Sequence, residues 1–285
     1  MNKNISHFCP VCSKSILRCL GKVQQEKILL CNSCGLAFLD LEDGYTYTHS
    51  DWYDWLRISE EVGKKYLNWI RWYYLKQLKI LSGLVEGREL LDIGAGMGIF
   101  AKVASEIDWK VTCTEIHPKA RAFGAQIYGL IYKELEDIPP ESMDIVRVSH
   151  ILEHVPEPLL FLCKVKSILK SGGICVTMVP HYEPLNCVIK NLILRLIPGE
   201  HDFRGHIYPP PHILGFTPFS LKNTFRLVGL HPLKIYSVSR GNRTYYPWKW
   251  EIIKPSIKDV IFELVNTLGN IFNRGSWIVG YFRKN

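Results

Sequence analysis

The stretch Leu90-Leu-Asp-Ile-Gly94-Ala-Gly96-Met-Gly98-Ile-Phe100 decides the fold. Its first four residues favour a buried strand, its glycines favour a tight turn, and apolar residues with helical spacing follow. A strand that leads through a glycine turn into a helix is typical of a parallel α/β sheet, and such a turn lets a ligand approach the backbone closely. Two details are informative: the glycines are spaced GxGxG, and an acid, Asp92, stands two residues before Gly94.

That acid distinguishes between the cofactors that bind glycine turns. A carboxylate there would repel the pyrophosphate of NAD or FAD, whereas it would attract a cationic ligand such as S-adenosylmethionine, which carries a sulfonium and an ammonium group. Glu115 follows the second predicted strand, where an acid can accept hydrogen bonds from both ribose hydroxyls. The two acids together favour S-adenosylmethionine over the alternative that Asp92 only satisfies its own turn.

Outward from this stretch, strands and helices alternate. The predicted strands are 88–93, 109–114, 127–132, 144–149, 173–179, 230–238 and 277–282. The predicted helices are 59–81, 98–107, 118–126, 157–170, 219–228 and 256–272. This alternation predicts an α/β fold with a Rossmann-like, doubly wound sheet. Between the predicted strand 173–179 and the predicted helix 219–228, segment 181–218 is rich in Pro, His and Gly. We predict a lid or substrate segment there, with a short apolar helix over 186–197.

The N-terminal region carries paired cysteines, Cys9-Pro-Val-Cys12 and Cys31-Asn-Ser-Cys34. A two-residue spacing lets each pair turn back on one metal ion, which predicts a tetrahedral site with four sulfur ligands. Zinc is the expected metal and iron the alternative. Because the protein fills all four positions, the site should be structural. We therefore predict a zinc ribbon over 1–45 and a catalytic domain over 46–285.

Composition excludes several classes of protein. The chain has 285 residues, 47% hydrophobic and 22% charged, which excludes a disordered, collagen-like or coiled-coil protein. The net charge of +8 lies entirely within 222–285, where it could attract an anionic substrate, a membrane surface or nucleic acid, or simply form a solvated face. No apolar run suits a membrane span or a secretory signal, so we expect a cytoplasmic location.

A second motif points to a known family. The chain reads Asp144-Ile-Val-Arg-Val-Ser-His150-Ile-Leu-Glu153-His154-Val-Pro-Glu-Pro158, with further matches at 169–173 and 215–221. It resembles the class I S-adenosylmethionine-dependent methyltransferases whose fourth strand ends in a DxVxxxHxLEHxxxP pattern. The resemblance implies a sheet of seven strands with the last one antiparallel. The cysteine ribbon makes the chain similar to bacterial and archaeal methyltransferases that act on sugars or other small metabolites.

The resemblance also implies roles for individual residues. Those expected to line the methionine end of the cofactor are Asp92, Gly94, Ala95, Gly96 and Gly98. Those expected to hold ribose and adenine are Glu115 and Ile116, with Leu135, Glu136 and Asp137 packed on the adenine edge. Ser149 and His150 would face the cofactor. Arg147 departs from the pattern, since it places a charge in an apolar strand, pointing either to solvent or into a local bend.

His154 is the candidate base that removes the acceptor's proton, with His150 beside it. His154 could instead only bond the loop backbone, or His181, His201, His206 or His212 could replace it.

The HxxEH motif formed by residues 150–154 also occurs in zinc proteases, but Pro156 and Pro158 prevent the helix that the chemistry of those proteases needs. A divalent ion held by His150, Glu153 and His154, as in some quinone-type O-methyltransferases, stays open, although those enzymes carry an acid where His150 stands.

These observations predict an enzyme that transfers a methyl group from S-adenosylmethionine to a small-molecule or sugar acceptor, including nucleotide- or lipid-linked ones. Two alternatives stay open. One is an RNA methyltransferase that grips phosphates with the ribbon and the basic C-terminal face. The other is a module that binds the cofactor without catalysis. The sequence does not indicate an oligomeric state.

Overall fold

The computed structural model describes residues 8–23, 26–40, 60–197, 212–239 and 257–285. The strands are β1 (Leu17–Val23), β2 (Glu26–Cys31), β3 (Ala37–Leu39), β4 (Glu89–Ile93), β5 (Lys110–Thr114), β6 (Ile131–Tyr132), β7 (Met143–Ser149), β8 (Leu169–Pro180), β9 (Leu214–Gly215), β10 (Leu230–Val238) and β11 (Trp277–Lys284). The helices are α1 (Glu60–Ser82), α2 (Ile99–Ser105), α3 (Pro118–Tyr128), α4 (Pro158–Ile168), α5 (Leu185–Leu194), α6 (Pro218–Leu227) and α7 (Ile257–Ile271).

The main sheet has seven strands in the order β10-β11-β8-β7-β4-β5-β6. Strands β6, β5, β4, β7 and β8 pair in parallel, while β11 runs antiparallel to both β8 and β10. The prediction of a Rossmann-like sheet whose last strand is antiparallel is therefore confirmed. Because β4 and β7 are parallel neighbours, their carboxyl ends, which lead into the glycine turn and the His150 motif, lie at the same edge.

Local capping explains where α3, the helix that follows β5, begins and ends. His117 caps α3 and accepts a hydrogen bond from the Ala120 amide, and Pro118 fills the first turn. Gly129 ends α3 with φ of 67°, a left-handed conformation that suits glycine. This cap corrects the predicted strand 127–132: α3 continues to Tyr128, so only Ile131–Tyr132 remain as β6.

The strands alternate side chains between two apolar layers. One layer lies against α1 and α2; it includes Tyr74, Leu78, Leu90, Phe100 and Ile145. The other lies against α4 and α6; it includes Leu91, Val146, Leu162, Phe225 and Phe282. Burial of each such side chain stabilises the fold by about 1.5–3 kcal/mol. These layers pack on both faces of the sheet and so fix where its carboxyl edge lies.

The N-terminal region forms a second sheet, in the order β1-β2-β3-β9. Strand β9 comes from the distant segment 181–218, and the Leu39 amide donates to the Ile213 carbonyl over 3.0 Å. Residues 213–216 are buried and apolar, so this part of the predicted lid is instead a strand of the ribbon sheet. The boundary placed between residues 45 and 46 lies outside the described residues, as does 198–211.

The two sheets share one apolar core. Val11 and Leu36 of the cysteine region belong to the same buried cluster as Phe216, Leu221 and Phe225. The ribbon therefore packs directly on the α4/α6 side of the main sheet. Among the described residues, no helix combines the length and apolar character that crossing a membrane requires.

Candidate functional site at the carboxyl edge of the sheet

The glycine turn follows β4 and contacts the turn that follows β7. Gly94, Gly96 and Gly98 have φ of 64°, 58° and 78°, so all three occupy the left-handed region. A Cβ atom on Gly94 would overlap Cδ1 of Ile151, which shows how closely the two turns approach. Ala95 lies in the same turn and is half-buried, and its amide donates to the Thr114 carbonyl over 2.9 Å.

Glu115, at the end of β5, is buried and fastens the glycine turn. Its two carboxylate oxygens accept hydrogen bonds from the amides of Gly96 (2.7 Å) and His117 (2.8 Å). Each oxygen keeps a further lone pair, so a ribose hydroxyl can still donate to it. The next side chain, Ile116, is 66% exposed and offers an apolar surface beside this carboxylate.

Asp92 is fully buried, and its charge is balanced by Arg147. The two residues are partners across β4 and β7, and Nη1 of Arg147 donates to Oδ1 of Asp92 over 2.7 Å. The guanidinium also lies 4.3 Å from the ring centre of Phe100. Arg147 thus points neither to solvent nor into a bend; it lies in the buried layer under the glycine turn. Burial raises the pKa of Asp92, against the lowering effect of Arg147.

The candidates for the adenine edge, and Ser149, lie at the ends of β6 and β7. Leu135, Glu136 and Asp137 form a 3-10 helix after β6, in which Leu135 is half-buried and the two acids are exposed. Ser149 ends β7 and is buried. All these candidates lie at or just after the carboxyl ends of β6 and β7, as the resemblance implies, and their roles stay predictions.

His150 occupies a strained turn. Its φ of 59° is uncommon for a residue with a side chain, and its amide donates to the Met178 carbonyl over 2.8 Å. The imidazole packs against the ring edge of Trp277 at 4.7 Å between centres. Residues Leu152–His154 then form a single 3-10 turn. The helix that a zinc protease requires is absent from this described stretch, in agreement with the sequence argument.

Glu153 is 1% exposed and lies between the two candidate catalytic histidines. Its Oε1 is 3.5 Å from Nδ1 of His150 and 4.0 Å from Nε2 of His154. The ring of His154 lies 4.9 Å from that of His212, centre to centre. Burial raises the pKa of Glu153, but the three histidines outweigh it and hold that pKa below its usual value.

The remaining candidate histidines fall into two groups. His181 is buried, and its Nδ1 accepts a hydrogen bond from the Glu183 amide over 2.9 Å, so it supports a turn. His201 and His206 lie outside the described residues. The sequence did not predict that His212 lies beside His154 and Glu153. It marked Arg147 as unusual but did not indicate that Asp92 is its partner.

The four N-terminal cysteines converge. Sγ of Cys9 lies 3.5 Å from that of Cys34, and Sγ of Cys12 lies 3.4 Å from that of Cys31. Tetrahedral zinc with bonds of about 2.3 Å places its sulfurs about 3.8 Å apart, so the set fits zinc. The hydrogen bond from Cys34 lowers the pKa of Cys9 to about 5, and the same bond raises the pKa of Cys34.

The residues of the carboxyl edge also fit S-adenosylmethionine. The glycine turn leaves no room for side chains at its closest approach to Ile151. Oδ2 of Asp92 is buried and has no hydrogen-bond partner among the described residues, so one carboxylate oxygen is left for a cationic ligand. Glu115 has a carboxylate that could accept from a nucleoside's ribose, and Ile116 has an exposed apolar face beside it.

Comparison with known proteins gives concordant matches. A sequence profile described as "Methyltransferase domain" matches residues 66–234. The ubiquinone biosynthesis O-methyltransferase of Bordetella avium strain 197N is 27% identical over 151 residues, which cover 47% of this chain and 62% of that protein. The protein of the same name from Cereibacter sphaeroides strain ATCC 17029 is 27% identical over 183 residues, 59% of this chain and 68% of that one.

A solved structure matches over more of the chain. A SAM-dependent methyltransferase from Archaeoglobus fulgidus covers 82% of this chain and 98% of its own, with a TM-score of 0.52 and 20% identity. At that identity the likeness shows the fold alone. The matched stretch spans less than two thirds of the Bordetella relative's length. The match therefore does not show that this chain has the activity of that whole protein.

Proposed function

The chain belongs to the methyltransferase domain family, and on that premise we propose that it transfers a methyl group from S-adenosylmethionine to a hydroxyl oxygen of a small organic molecule. The observation that carries this proposal is the contact between the glycine turn and the His150–His154 turn at one edge of the sheet. Relatives named ubiquinone biosynthesis O-methyltransferase support an oxygen acceptor of small-molecule size. A cytoplasmic location forms part of the same proposal.

The chain's own residues would bind the cofactor as follows. The turn Gly94–Gly98 holds the methionine end, Glu115 accepts from ribose, and Ile116 with Leu135 covers adenine. Asp92 contributes only through Oδ2, because Oδ1 is engaged by Arg147. When bound, S-adenosylmethionine supplies a methyl group on a sulfonium, which needs no further activation.

His150 and His154 would handle the acceptor's proton. A hydroxyl is a weak nucleophile, and a base within hydrogen-bond reach strengthens it. The buried carboxylate of Glu153 lies within ion-pair distance of both imidazoles and would stabilise the imidazolium that forms. The side chain of His150 is 40% exposed, so it is the more accessible of the two.

We further propose that Cys9, Cys12, Cys31 and Cys34 hold one structural zinc ion, with iron as the alternative. The convergence of their sulfurs supports this site. Neither a sugar acceptor nor RNA is favoured by a specific described contact. Arg240, Arg243, Lys249 and Lys254, which contribute to the basic C-terminal face, lie outside the described residues.

A labelled-methyl assay tests the proposal. Purified protein and methyl-labelled S-adenosylmethionine are incubated with hydroxylated aromatic compounds, sugars and RNA in parallel. We expect label in a small-molecule hydroxyl, and we expect His150→Ala and His154→Ala to lower turnover with little change in cofactor affinity. His231→Ala, an exposed histidine on β10, is the matched control. Label confined to RNA, or cofactor binding with no transfer to any acceptor, would contradict the proposal.

A further inference from the structure

The carboxylate of Glu153 is buried in the protein without a hydrogen-bond donor among the described residues. Its carboxylate is 1% exposed, and neither oxygen has a hydrogen-bond partner among the described residues. A buried carboxylate requires a compensating positive charge, since an unpaired charge in the protein interior is strongly unfavourable. The described side chains that face this carboxylate are the imidazoles of His150, His154 and His212.

A third element brings His212 to this carboxylate. The Ile213 amide donates to the Glu153 carbonyl over 2.9 Å, and this bond fastens the start of the β9 segment onto the 3-10 turn. As a result, one carboxylate oxygen of Glu153, one ring nitrogen of His154 and one of His212 all lie within 4.8 Å of one another. The three ligand atoms converge although His212 is remote in sequence.

We propose that Glu153, His154 and His212 form a second metal site, separate from the cysteine ribbon, that binds a divalent transition-metal ion. One carboxylate and two imidazoles suit Zn²⁺, Fe²⁺, Co²⁺ or Mn²⁺ better than Mg²⁺ or Ca²⁺. Bonds of about 2.1 Å place the ligand atoms about 3.4 Å apart. The present separations, which are within 4.8 Å, would therefore shorten by at most about 1.4 Å when an ion binds. Three protein ligands leave positions open for another molecule.

This set differs from the trio that the sequence suggested. His150 lies within 3.5 Å of Glu153, but its ring packs on Trp277 and is not part of the converging group. His212 takes its place as ligand. As a ligand, His154 would hold the ion instead of accepting the acceptor's proton, which leaves His150 alone as the base.

What the ion does rests on the proposed function. A hydroxyl bound at an open position would have its pKa lowered by the cation. Its proton would pass to His150, its oxygen would form the bond to the methyl carbon, and the carbon–sulfur bond would break with its electron pair on sulfur. Both charge balance and atom balance are met without another reactant.

Manganese binding tests the site directly. The full chain, with zinc already in the ribbon, is titrated with Mn²⁺ and free Mn²⁺ is followed by electron paramagnetic resonance. We expect one Mn²⁺ per chain, displaced by added Zn²⁺. His212→Ala and Glu153→Gln should each weaken binding by more than about tenfold, whereas His150→Ala and the control His231→Ala should not. Circular dichroism and retained ribbon zinc establish that each variant is folded.

Three outcomes would overturn the inference: no bound Mn²⁺ or Zn²⁺ beyond the ribbon, equal loss in His231→Ala, or loss in His150→Ala with binding retained in His212→Ala. Failure of the proposed function gives a different result. A protein that binds Mn²⁺ through His212 but transfers no methyl group keeps the site and loses the reaction. Transfer that survives complete removal of the second ion keeps the reaction and loses the ion's role.

Discussion

Strand β4 carries two cross-strand ion pairs whose environments are opposite. Asp92 and Arg147 are enclosed, with 0% and 9% of their side chains exposed, whereas Glu89 and Lys110 are 38% and 77% exposed. Loss of one member of a buried pair leaves an uncompensated charge and costs about 3–5 kcal/mol. Loss of an exposed pair costs about 0–1 kcal/mol. The same strand thus offers a test and its control.

We therefore expect Arg147→Met to lower the free energy of unfolding by about 3–5 kcal/mol, measured by urea denaturation. Lys110→Ala should change it by less than about 1 kcal/mol. The double variant Asp92→Asn/Arg147→Met removes both charges and should recover part of the loss. Equal stability of the Arg147→Met and Lys110→Ala variants would mean that Asp92 and Arg147 are not a desolvated pair.

Glu115 gives a prediction about binding. Glu115→Ala removes the acceptor for the Gly96 amide and the expected acceptor for ribose, so S-adenosylmethionine affinity should fall by about 1–3 kcal/mol in calorimetry. Glu141→Ala, an exposed acid at the opposite edge, should bind normally. Unchanged affinity in Glu115→Ala would remove the basis for placing the nucleoside at the end of β5.

Residues that act in local motifs could be predicted, and those that act across the fold could not. Gly94, Glu115 and the four cysteines are recognisable because spacing along the chain determines their geometry. Arg147 was visible only as a charge in an apolar strand; its partner follows from the register of β4 against β7, which one sequence does not reveal. His212 lies in a stretch without periodicity, and the backbone bonds of the next residue, Ile213, to Glu153 and Leu39 bring it to the site.

At the scale of elements, the ribbon and the main sheet depend on each other through β9. The Cys31→Ser variant should not retain zinc, because three sulfurs do not close a tetrahedral site. A thiol-modifying reagent should therefore release zinc from the parent protein and none from this variant. Since β3 then loses its anchor, amide exchange should accelerate at Leu39 and across residues 213–216, while amides of β8 and β11 stay protected. Mass spectrometry of exchanged peptides measures both.

Cys19→Ser is the matched control for that experiment. Cys19 is exposed and lies in β1 outside the converging sulfurs, so zinc content and exchange should match the parent protein. Unchanged exchange at residues 213–216 in Cys31→Ser, together with lost zinc, would show that β9 holds without the metal.

Elements with regular periodicity were predicted well, and irregular ones were not. Helices such as α4 and strands such as β7 differ from their predicted bounds by a few residues at most, since their apolar spacing is local. The two-residue strands β6 and β9 are too short to show a period, so the sequence predicts a longer β6 and, in place of β9, part of a lid. Pairing partners, rather than propensity, define such strands.

For the whole molecule, the shared core predicts coupled stability. A ligand that binds only the folded state stabilises it by about 2.7 kcal/mol at one hundred times its Kd. S-adenosylmethionine should therefore raise the melting temperature in a single transition that includes ribbon and sheet. Chelation of the ribbon metal should lower that melting temperature. Two separate transitions in calorimetry, with only one responding to the cofactor, would show that the two sheets unfold independently.

The position of β11 has a consequence for how the chain folds during synthesis. Strand β11 lies between β8 and β10, yet both of those strands leave the ribosome before it does. At about 5–20 residues per second, β8 waits for seconds with one edge unpaired. Unpaired edges recruit other strands, so the nascent protein is exposed to misassembly until residues 277–284 insert. The sheet is therefore completed late, when β11 inserts between β8 and β10. Slower translation of residues 277–284 would lengthen the time for which the nascent chain depends on chaperones.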